Sequence, residues 1–326
     1  MKVLVTGGAG YVGAVLVPQV LAAGHQVRVL DSLMYNQTIL MNHFLDPNFE
    51  FIRGDIRDSD CLKTALKDVD CVIHLAAIVG APACSKNPEL AKEINYDAVV
   101  QLDKLRSRSQ KIIFASTGSN YGAVEGICTE DTPLNPLSVY GVTKTDAEKR
   151  LLDSGNVVVY RFATAFGLSP RLRLDLLVND FAFQAIKNRQ LIVYEKGFKR
   201  TFVHVYDMSR AMVHALSNFD NMAGNAFNVG NEELNFTKEE VCLAIKRHVD
   251  YKLHFAEVGS DPDKRDYVVS YEKIRQAGFI TNITLDQGLL EIIRGAVMLE
   301  DRTPFANVGS FPWLTEMGEE ESGTKK

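Results

Sequence analysis

Short runs of apolar residues alternate with longer segments through the first half of the chain. Each run has the length of a buried strand. The six clearest are KVLVTG (2–7), HQVRVLD (25–31), FEFIRGD (49–55), DCVIHLAA (70–77), KIIFAST (111–117) and VVVYRFAT (157–164). Segments of helical length lie between them, for example at 13–24 and 89–106. This alternation predicts an α/β fold, with a parallel sheet covered by helices on both faces.

The second half of the chain has a less regular pattern. FVHV (202–205) and AFNVG (226–230) have the character of further strands, and helices are predicted near 207–218, 237–248 and 285–298. The polar segment 315–326 is predicted to be a disordered tail.

The composition narrows the class of protein. Of the 326 residues, 46% are hydrophobic and 24% are charged, as in ordinary globular proteins. A formal net charge of −5, without a concentrated basic region, argues against a nucleic-acid partner. No apolar run has the length of a membrane span, and the five cysteines form no CxxC pair. We therefore expect a cytoplasmic protein without membrane association and without a metal site.

The first apolar run leads into a glycine-rich turn, Gly7-x-x-Gly10-x-x-Gly13, and then into a helical segment. Glycines at this spacing let a pyrophosphate approach backbone N–H groups at a helix N-terminus. Asp31 lies 18 residues beyond Gly13, at the end of the second strand, where a carboxylate accepts hydrogen bonds from adenosine ribose hydroxyls. This carboxylate repels the extra phosphate of NADP, and the next three residues, SLM, include no arginine to hold one. The sequence therefore predicts NAD, the alternative being a plain turn and a loop cap.

The third strand ends at Asp55-Ile56, at the same predicted edge of the sheet. Asp55 there can accept a hydrogen bond from an adenine amino group, and a solvated turn acid is the alternative. His74 lies inside an apolar strand and is predicted to be a core residue.

Two later stretches carry candidate catalytic residues. Tyr140 and Lys144 in YGVTK are four residues apart, so on a helix both lie on one face. A free tyrosine, with a pKa of about 10, is a poor base at neutral pH. A neighbouring ammonium group stabilises the phenolate and lowers that pKa. Thr117 ends the strand KIIFAST, where its hydroxyl can hydrogen-bond a reacting hydroxyl group or serve only as a turn residue.

Together these residues resemble the extended short-chain dehydrogenase/reductase family, in its branch of nucleotide-sugar epimerases and dehydratases. TGGAGYVG, Asp31, GDIRD, HLAA, Asn95, Thr117, YGVTK and RTFVHVYD occur in the family's order and spacing, up to about residue 307. The resemblance implies a Rossmann-type, doubly wound parallel sheet with a smaller, mostly C-terminal substrate-binding lobe. It implies an NAD-binding domain at 1–168, with returning segments at about 201–230 and 265–280, and a lobe from the remaining segments of 169–310.

The resemblance also implies roles for single residues. Tyr140 is then the base, Lys144 its electrostatic partner and a ligand of the NAD ribose, and Thr117 the third member of the triad. Asn95 corresponds to a helix asparagine that supports the site. The implied cofactor-binding residues are Gly7, Gly10, Tyr11, Val12, Gly13, Asp31, Asp55, Ile56, Leu75, Ala76, Ala77, Asn95, Tyr140 and Lys144.

The implied substrate is a nucleotide-diphosphate sugar, whose contacts lie in the second half of the chain. Asn179 matches a residue that contacts the nucleotide diphosphate. Arg200 matches an arginine that pairs with the pyrophosphate, a task that suits the planar guanidinium fork. Asp263 matches an acid that holds the nucleotide ribose. Arg265 is the candidate substitute for a family arginine whose position is Ser260 here.

The implied reaction begins when Tyr140 takes the proton of a sugar hydroxyl, usually at C4, as hydride passes to the nicotinamide. Dehydratases of the family follow their threonine with an acid pair, whereas this chain has Gly118-Ser119, which argues against dehydration. We therefore predict a nucleotide-sugar 4-epimerase that passes through a 4-keto intermediate.

Two alternatives stay open. Segments such as LSPRLRLDLLVNDF and DPDKRDYVVS also resemble enzymes that oxidise C4 of a GDP-linked heptose, and such a 4-dehydrogenase releases the keto sugar. A non-catalytic NAD-binding sensor or scaffold is the alternative of another class, which the loss of the tyrosine or the lysine would mark. Both residues are present here. The resemblance further implies a homodimer formed by the helices around Tyr140 and Asn95.

Overall fold

A computed structural model of the protein describes residues 1–124, 126–256 and 268–299. The strands there are β1 (Lys2–Thr6), β2 (Gln26–Asp31), β3 (Phe49–Arg53), β4 (Cys71–His74), β5 (Lys111–Thr117), β6 (Ile127–Cys128), β7 (Val157–Phe162), β8 (Thr164–Phe166), β9 (Gln190–Tyr194), β10 (Lys199–His204), β11 (Asn225–Val229), β12 (Asn235–Thr237), β13 (Lys252–Ala256) and β14 (Val268–Val269). Each apolar run predicted as a strand overlaps one of them.

Seven strands form one parallel sheet in the order β11-β7-β5-β4-β1-β2-β3. The chain first moves outwards from β1 to β3 and then returns to β4 on the other side of β1. Thr6 at the end of β1 is in register with Leu30 of β2 and His74 of β4, so these three strands end together. The prediction of a doubly wound parallel sheet is confirmed. Its switch point between β1 and β4 is where such sheets bind ligands.

Helices lie between these strands along the chain. They are α1 (Gly13–Ala22), α2 (Ser59–Leu66), α3 (Ala81–Lys86), α4 (Pro88–Lys92), α5 (Ala98–Leu105), α6 (Val139–Ser154), α7 (Leu177–Lys187), α8 (Val205–Met222), α9 (Lys238–Lys246), α10 (Glu272–Gln276) and α11 (Leu285–Gly295). The helix predicted at 89–106 is divided by a π-helical turn, Glu93–Asp97, between α4 and α5. No helix within the described residues is both long enough and apolar enough to cross a membrane.

Both faces of the seven-stranded sheet are buried. Val3 and Val5 of β1 belong to a core shared with α1 and α8, whereas Leu4 belongs to the opposite core, shared with α2, α5 and α6. Burial on both faces explains why these strands are continuous apolar runs. His74 is 1% exposed and stacks on Phe114 at 5.8 Å between ring centroids, so it is a core residue as predicted.

Several elements after β7 lie outside the seven-stranded sheet and share a separate core, whereas β11 and α8 belong to the large sheet and its core. The strand predicted at 202–205 does not extend the large sheet, because β10 pairs in parallel with β8 and antiparallel with β12. Strands β9 and β13 form a parallel pair. They share a third core with α7, α9 and α11, to which Phe166, Val178, Val241 and Leu289 contribute.

Candidate active site

A cavity of about 510 Å³ opens beyond the carboxyl ends of the sheet strands. Its walls include the predicted glycine-turn residues Gly7, Gly10, Tyr11, Val12 and Gly13. They also include the strand-end residues Asp31, Asp55, Ile56, Leu75, Ala76 and Ala77, and the predicted triad Thr117, Tyr140 and Lys144. Apart from Asn95, which does not line the cavity, the predicted cofactor and catalytic residues are therefore brought into one space. A cavity of this size suits an organic ligand.

The glycine turn is shaped so that a backbone group or ligand can approach closely. Gly7 has φ +69°, and a Cβ there would lie 2.7 Å from the Ala76 nitrogen. A Cβ on Gly13 would lie 2.4 Å from the Gly8 carbonyl oxygen. Helix α1 begins at Gly13, which lines the cavity together with Val12, so a helix N-terminus borders the cavity, and an anion is stabilised at such a terminus. These features fit a dinucleotide pyrophosphate.

Asp31 connects the glycine turn to the loop after β2. Its carboxylate accepts hydrogen bonds from the Ala9 nitrogen at 2.9 Å and from the Leu33 nitrogen at 2.8 Å. Burial raises the pKa of Asp31, and these two bonds and the charge of Arg171 oppose the rise. Backbone groups thus hold the carboxylate of Asp31 in place at the cavity wall. A residue that binds the ribose of the cofactor needs such a fixed position.

Asp55 is held by a guanidinium. Arg57 Nη2 lies 2.8 Å from Asp55 Oδ2, and the same arginine reaches Glu93 at 2.6 Å. Burial acts to raise the pKa of Asp55, but the hydrogen bonds and charge of Arg57 outweigh it and lower that pKa. Asp55 is therefore kept as a carboxylate at the rim of the cavity, next to Ile56.

The pair Tyr140 and Lys144 lies one turn apart near the start of α6. The helix starts there because Ser138 caps it, accepting a hydrogen bond from the Gly141 nitrogen at 3.1 Å. Lys144 is 2% exposed, and its Nζ lies 3.9 Å from the centroid of the Phe114 ring. Burial lowers the pKa of Lys144 to about 7, against the opposing charge of Glu148. A lysine so placed changes charge near neutral pH beside the proposed base.

Thr117 ends β5 and lines the same cavity. Its hydroxyl oxygen accepts a hydrogen bond from the Ser119 nitrogen at 3.1 Å and donates to Ser119 Oγ at 3.2 Å. Both side chains line the cavity. Ser119 adds a second hydroxyl group that sequence reasoning treated only as the absence of an acid.

Asn95 is fully buried in the π-helical turn. Its amide donates to the Ile78 carbonyl at 3.0 Å and accepts from the Ile78 nitrogen at 2.8 Å. It also donates to Thr143 Oγ1 at 3.3 Å, next to Lys144 in the sequence. Asn95 thus ties the loop after β4 to α6. Its support of the site and its contact with the cofactor stay predictions.

Glu148 is the buried residue that sequence reasoning missed beneath the triad. It is 1% exposed, and its carboxylate accepts hydrogen bonds from Ser116 at 2.5 Å, Asn120 at 2.8 Å and Arg161 at 2.6 and 2.9 Å. A signal existed, because Glu148 follows Lys144 by four residues and so lies on the same helix face as Tyr140.

The predicted substrate contacts lie apart from these residues. Asn179 is fully buried, with its amide bonded to the backbone of Gly167 and Arg173. Arg200 is buried in β10 and donates to the Lys199 carbonyl at 3.3 Å. Neither lines the described cavity, so their direct contact with substrate stays a prediction. Asp263 and Arg265 lie outside the described residues.

Two basic residues missed by sequence reasoning do line the cavity. Arg171 and Arg173, in the segment between β8 and α7, are 6% and 8% exposed. They come from more than 130 residues beyond Asp31, so the search for an arginine in the three residues after Asp31 could not find them. Within the described residues, no group of three metal-ligating side chains comes together.

Comparison with known proteins agrees with this geometry. The model of the NAD dependent epimerase/dehydratase family matches residues 3–230. A putative UDP-glucose 4-epimerase from Methanocaldococcus jannaschii is 30% identical over 310 residues, covering 89% of this chain and 97% of that protein. UDP-glucuronic acid decarboxylase 4 from Arabidopsis thaliana is 29% identical over 306 residues, covering 89% of this chain and 67% of that protein.

A solved structure of similar fold contains NAD. UDP-glucuronic acid 4-epimerase from Bacillus cereus, in complex with UDP-glucuronic acid and NAD, matches with a TM-score of 0.83 and 26% identity. The match covers 92% of this chain and 100% of that one. The chain therefore belongs to the NAD dependent epimerase/dehydratase family and is an NAD-dependent enzyme.

Proposed function

We propose that this enzyme is a nucleotide-sugar 4-epimerase, which oxidises C4 of the sugar and reduces the keto sugar again on its other face. The observation that carries the proposal is that Thr117, Tyr140 and Lys144 line the same cavity as the glycine turn. The relatives named as UDP-glucose and UDP-glucuronic acid 4-epimerases support the substrate class.

The glycine turn, the ends of β2 and β3 and the loop after β2 form what we call the cofactor half of the cavity. The residues of the site provide a proton acceptor next to it. NAD, when bound, supplies a hydride acceptor that can return the hydride. The charge of Lys144 stabilises the phenolate of Tyr140, which then takes the proton of the C4 hydroxyl. Thr117 and Ser119 offer hydroxyl groups that orient the same sugar oxygen. When the hydride returns, Tyr140 donates the proton back to that oxygen.

The carboxylates of the cavity argue for this outcome over dehydration. Among the described lining residues they are Asp31 and Asp55, which lie at the ends of β2 and β3, in the cofactor half. Next to Thr117 the chain has Gly118 and Ser119, so the described site places no acid there to remove a proton from C5. An epimerase needs no such acid, since the keto sugar only turns over.

The 4-dehydrogenase uses the same first half-reaction, so product analysis separates the two. The wild-type enzyme is incubated with UDP-, GDP-, dTDP- and CDP-linked sugars, and product stereochemistry is followed by NMR together with the absorbance of NADH. We expect one sugar to be inverted at C4 without net NADH. A 4-keto sugar that accumulates with an equal amount of NADH contradicts the epimerase and identifies a dehydrogenase. Bound NAD without turnover of any sugar contradicts both and leaves the sensor or scaffold.

The family resemblance also leads us to propose that the protein forms a homodimer. Helix α6 packs within the chain against α4, α5 and the π-helical turn. Its exposed Val142 lies away from the buried Lys144 face. We expect this outer face to bind a second copy of the chain, which sedimentation of the wild-type protein and of a Val142→Glu variant tests.

A further inference from the structure

Two buried guanidinium groups line the cavity, on a segment that is bonded to the glycine turn. Arg171 and Arg173 belong to the segment 167–176, which leaves β8 and enters α7. Both side chains line the cavity, although both are more than nine-tenths buried. The reaction steps proposed above use neither arginine, although both side chains border the space that would hold the ligands.

Arg171 lies beside the loop that follows β2. Its guanidinium carbon is 4.3 Å from the centroid of the Tyr35 ring, in the loop after β2. It is close enough to Asp31 to act on the charge of that carboxylate. Its Nη1 donates to the Leu172 carbonyl at 2.6 Å, which fixes the direction of the fork. Arg171 therefore faces residues of the cofactor half.

Arg173 lies beside the glycine turn. Two of its nitrogens donate to Asp175, at 3.2 Å from Nε and 2.6 Å from Nη2. Its charge acts on the hydroxyl groups of both Tyr11 and Tyr35. A Cβ placed on Gly80, in the loop after β4, would lie 3.9 Å from Arg173 Nη2. Arg173 is thus held between the turn after β1 and the loop after β4.

The segment that carries the two arginines is bonded to the glycine turn itself. The Tyr11 hydroxyl donates to the Gly167 carbonyl at 2.8 Å, and Ser169 Oγ donates to the Tyr11 carbonyl at 2.7 Å. From the other side, the amide of Asn179 binds the backbone of Gly167 and Arg173. These bonds set the distance between the arginines and α1 before any ligand binds.

We propose that Arg171 and Arg173 bind a diphosphate that lies across the N-terminus of α1, and that this is the diphosphate of the dinucleotide. A diphosphate then receives backbone N–H groups from α1 on one side and guanidinium groups on the other. The cofactor is favoured over the nucleotide sugar as the source, because Tyr11, Asp31 and Tyr35 all belong to the cofactor half. The proposal rests on NAD binding and not on the epimerase reaction.

Binding measurements on nucleotide-free protein test the proposal without turnover. Arg171→Gln and Arg173→Gln are titrated by calorimetry with NAD⁺ and ADP-ribose, by NMR with adenosine, and by calorimetry with UDP and GDP. We expect each change to weaken NAD⁺ and ADP-ribose binding by about 10- to 100-fold, as the loss of a charged hydrogen bond predicts. Adenosine, UDP and GDP binding should keep their wild-type affinities.

Control variants separate charge from folding. Arg247→Gln removes an exposed arginine of the lobe, paired with Asp286 at 3.1 Å, and should leave NAD⁺ affinity unchanged. Arg171→Lys keeps the charge and should recover part of the lost affinity, and thermal unfolding verifies each fold. If a glutamine variant does not fold, Arg171→Lys still tests the proposal, because loss of the bidentate fork should weaken NAD⁺ binding and spare UDP.

Two results overturn the proposal. Weakened UDP or GDP binding with unchanged NAD⁺ binding would show that the arginines hold the diphosphate of the nucleotide sugar instead. Wild-type affinity for every probe in a folded variant would show that the arginines only stabilise the segment 167–176. Neither result bears on whether the keto sugar is released, so failure here is distinguishable from failure of the epimerase proposal.

Discussion

Glu148 accepts a hydrogen bond of 2.5 Å from the hydroxyl of Ser116, and this bond joins the two halves of the candidate triad. Glu148 lies two turns after Tyr140 on α6, whereas Ser116 directly precedes Thr117 at the end of β5. The same carboxylate forms an ion pair with Arg161 of β7 at 2.6 Å. The relative position of base and threonine therefore depends on a buried carboxylate that does not itself line the cavity.

Glu148→Gln should lower kcat by about 10- to 100-fold with little change in KM, the size of effect expected when catalytic groups shift by about 1 Å. Glutamine fills the same space, but its N–H₂ group would face a group of Ser116, Asn120 or Arg161 that now donates to Glu148. Two donors would then meet, and that hydrogen bond would be lost. Breaking the buried ion pair should also lower the free energy of unfolding by about 3–5 kcal/mol. Steady-state kinetics and urea unfolding measure the two effects.

The pH profile distinguishes a positioning role from a purely structural one for Glu148. The charge of Glu148 raises the pKa of Lys144, so its loss should move the alkaline limb of kcat to lower pH. Glu239→Gln, at an exposed pair with Lys196, is the matched control and should change neither kinetics nor profile. A Glu148→Gln enzyme with reduced stability but a wild-type profile would contradict the positioning role.

Tyr140→Phe should lower kcat by about 10²- to 10⁴-fold, because the variant loses the group that takes the C4 proton. NAD binding should remain, since the glycine turn and Asp31 are unchanged. Tyr206→Phe, at an exposed tyrosine of α8, is the control and should keep full activity. Single-turnover reduction of bound NAD measures the first half-reaction, and an undiminished rate in Tyr140→Phe would refute the assigned base.

Local signals explain why much of the site could be predicted from sequence. The apolar runs fix strands because both faces of the sheet are buried, and the glycine spacing fixes the turn between β1 and α1 within seven residues. The ends of parallel strands then bring Asp31, Asp55 and Thr117 to one edge without further information. Tyr140 and Lys144 needed only the helical repeat.

Contacts between segments that are far apart in the sequence explain what could not be predicted. Arg171 reaches Tyr35 only because the segment after β8 is bonded to Tyr11, and no periodicity in the sequence encodes that approach. Asn179 matches a substrate contact in sequence, yet its amide is directed to Gly167 and Arg173 by the path of the same segment. Side-chain direction in irregular segments depends on tertiary contacts and not on residue type.

Gly13→Ala should destabilise the protein by about 1–3 kcal/mol, as overpacking of a tight contact does. The new Cβ would lie 2.4 Å from the Gly8 oxygen, so α1 must move away from the turn and NAD affinity should fall with it. Gly197→Ala is the control, because no atom lies within 4 Å of a Cβ there. Urea unfolding and NAD titration compare the two variants, and equal results would contradict the close approach of α1.

Lys144 should make the stability of the nucleotide-free enzyme depend on pH in a defined window. Burial lowers the pKa of Lys144 from 10.5 to about 7 in the folded protein. Between these values the unfolded chain binds a proton that the folded protein does not, so the free energy of unfolding rises with pH. Below pH 7 both states carry the charge, and the folded protein bears the full cost of burying it.

Lys144→Met removes this dependence and retains an apolar side chain of similar length against Phe114. The gain in stability of the variant over the wild type should therefore be largest below pH 7 and shrink as pH rises towards 10.5. Lys149→Met, at an exposed position of the same helix, is the control and should show a difference that does not vary with pH. Urea unfolding at pH 6, 8 and 9.5, roughly spanning the window of the shift, measures both differences. A constant difference for Lys144→Met would mean that Lys144 keeps its proton throughout, and activity should then show no loss as pH rises through 7.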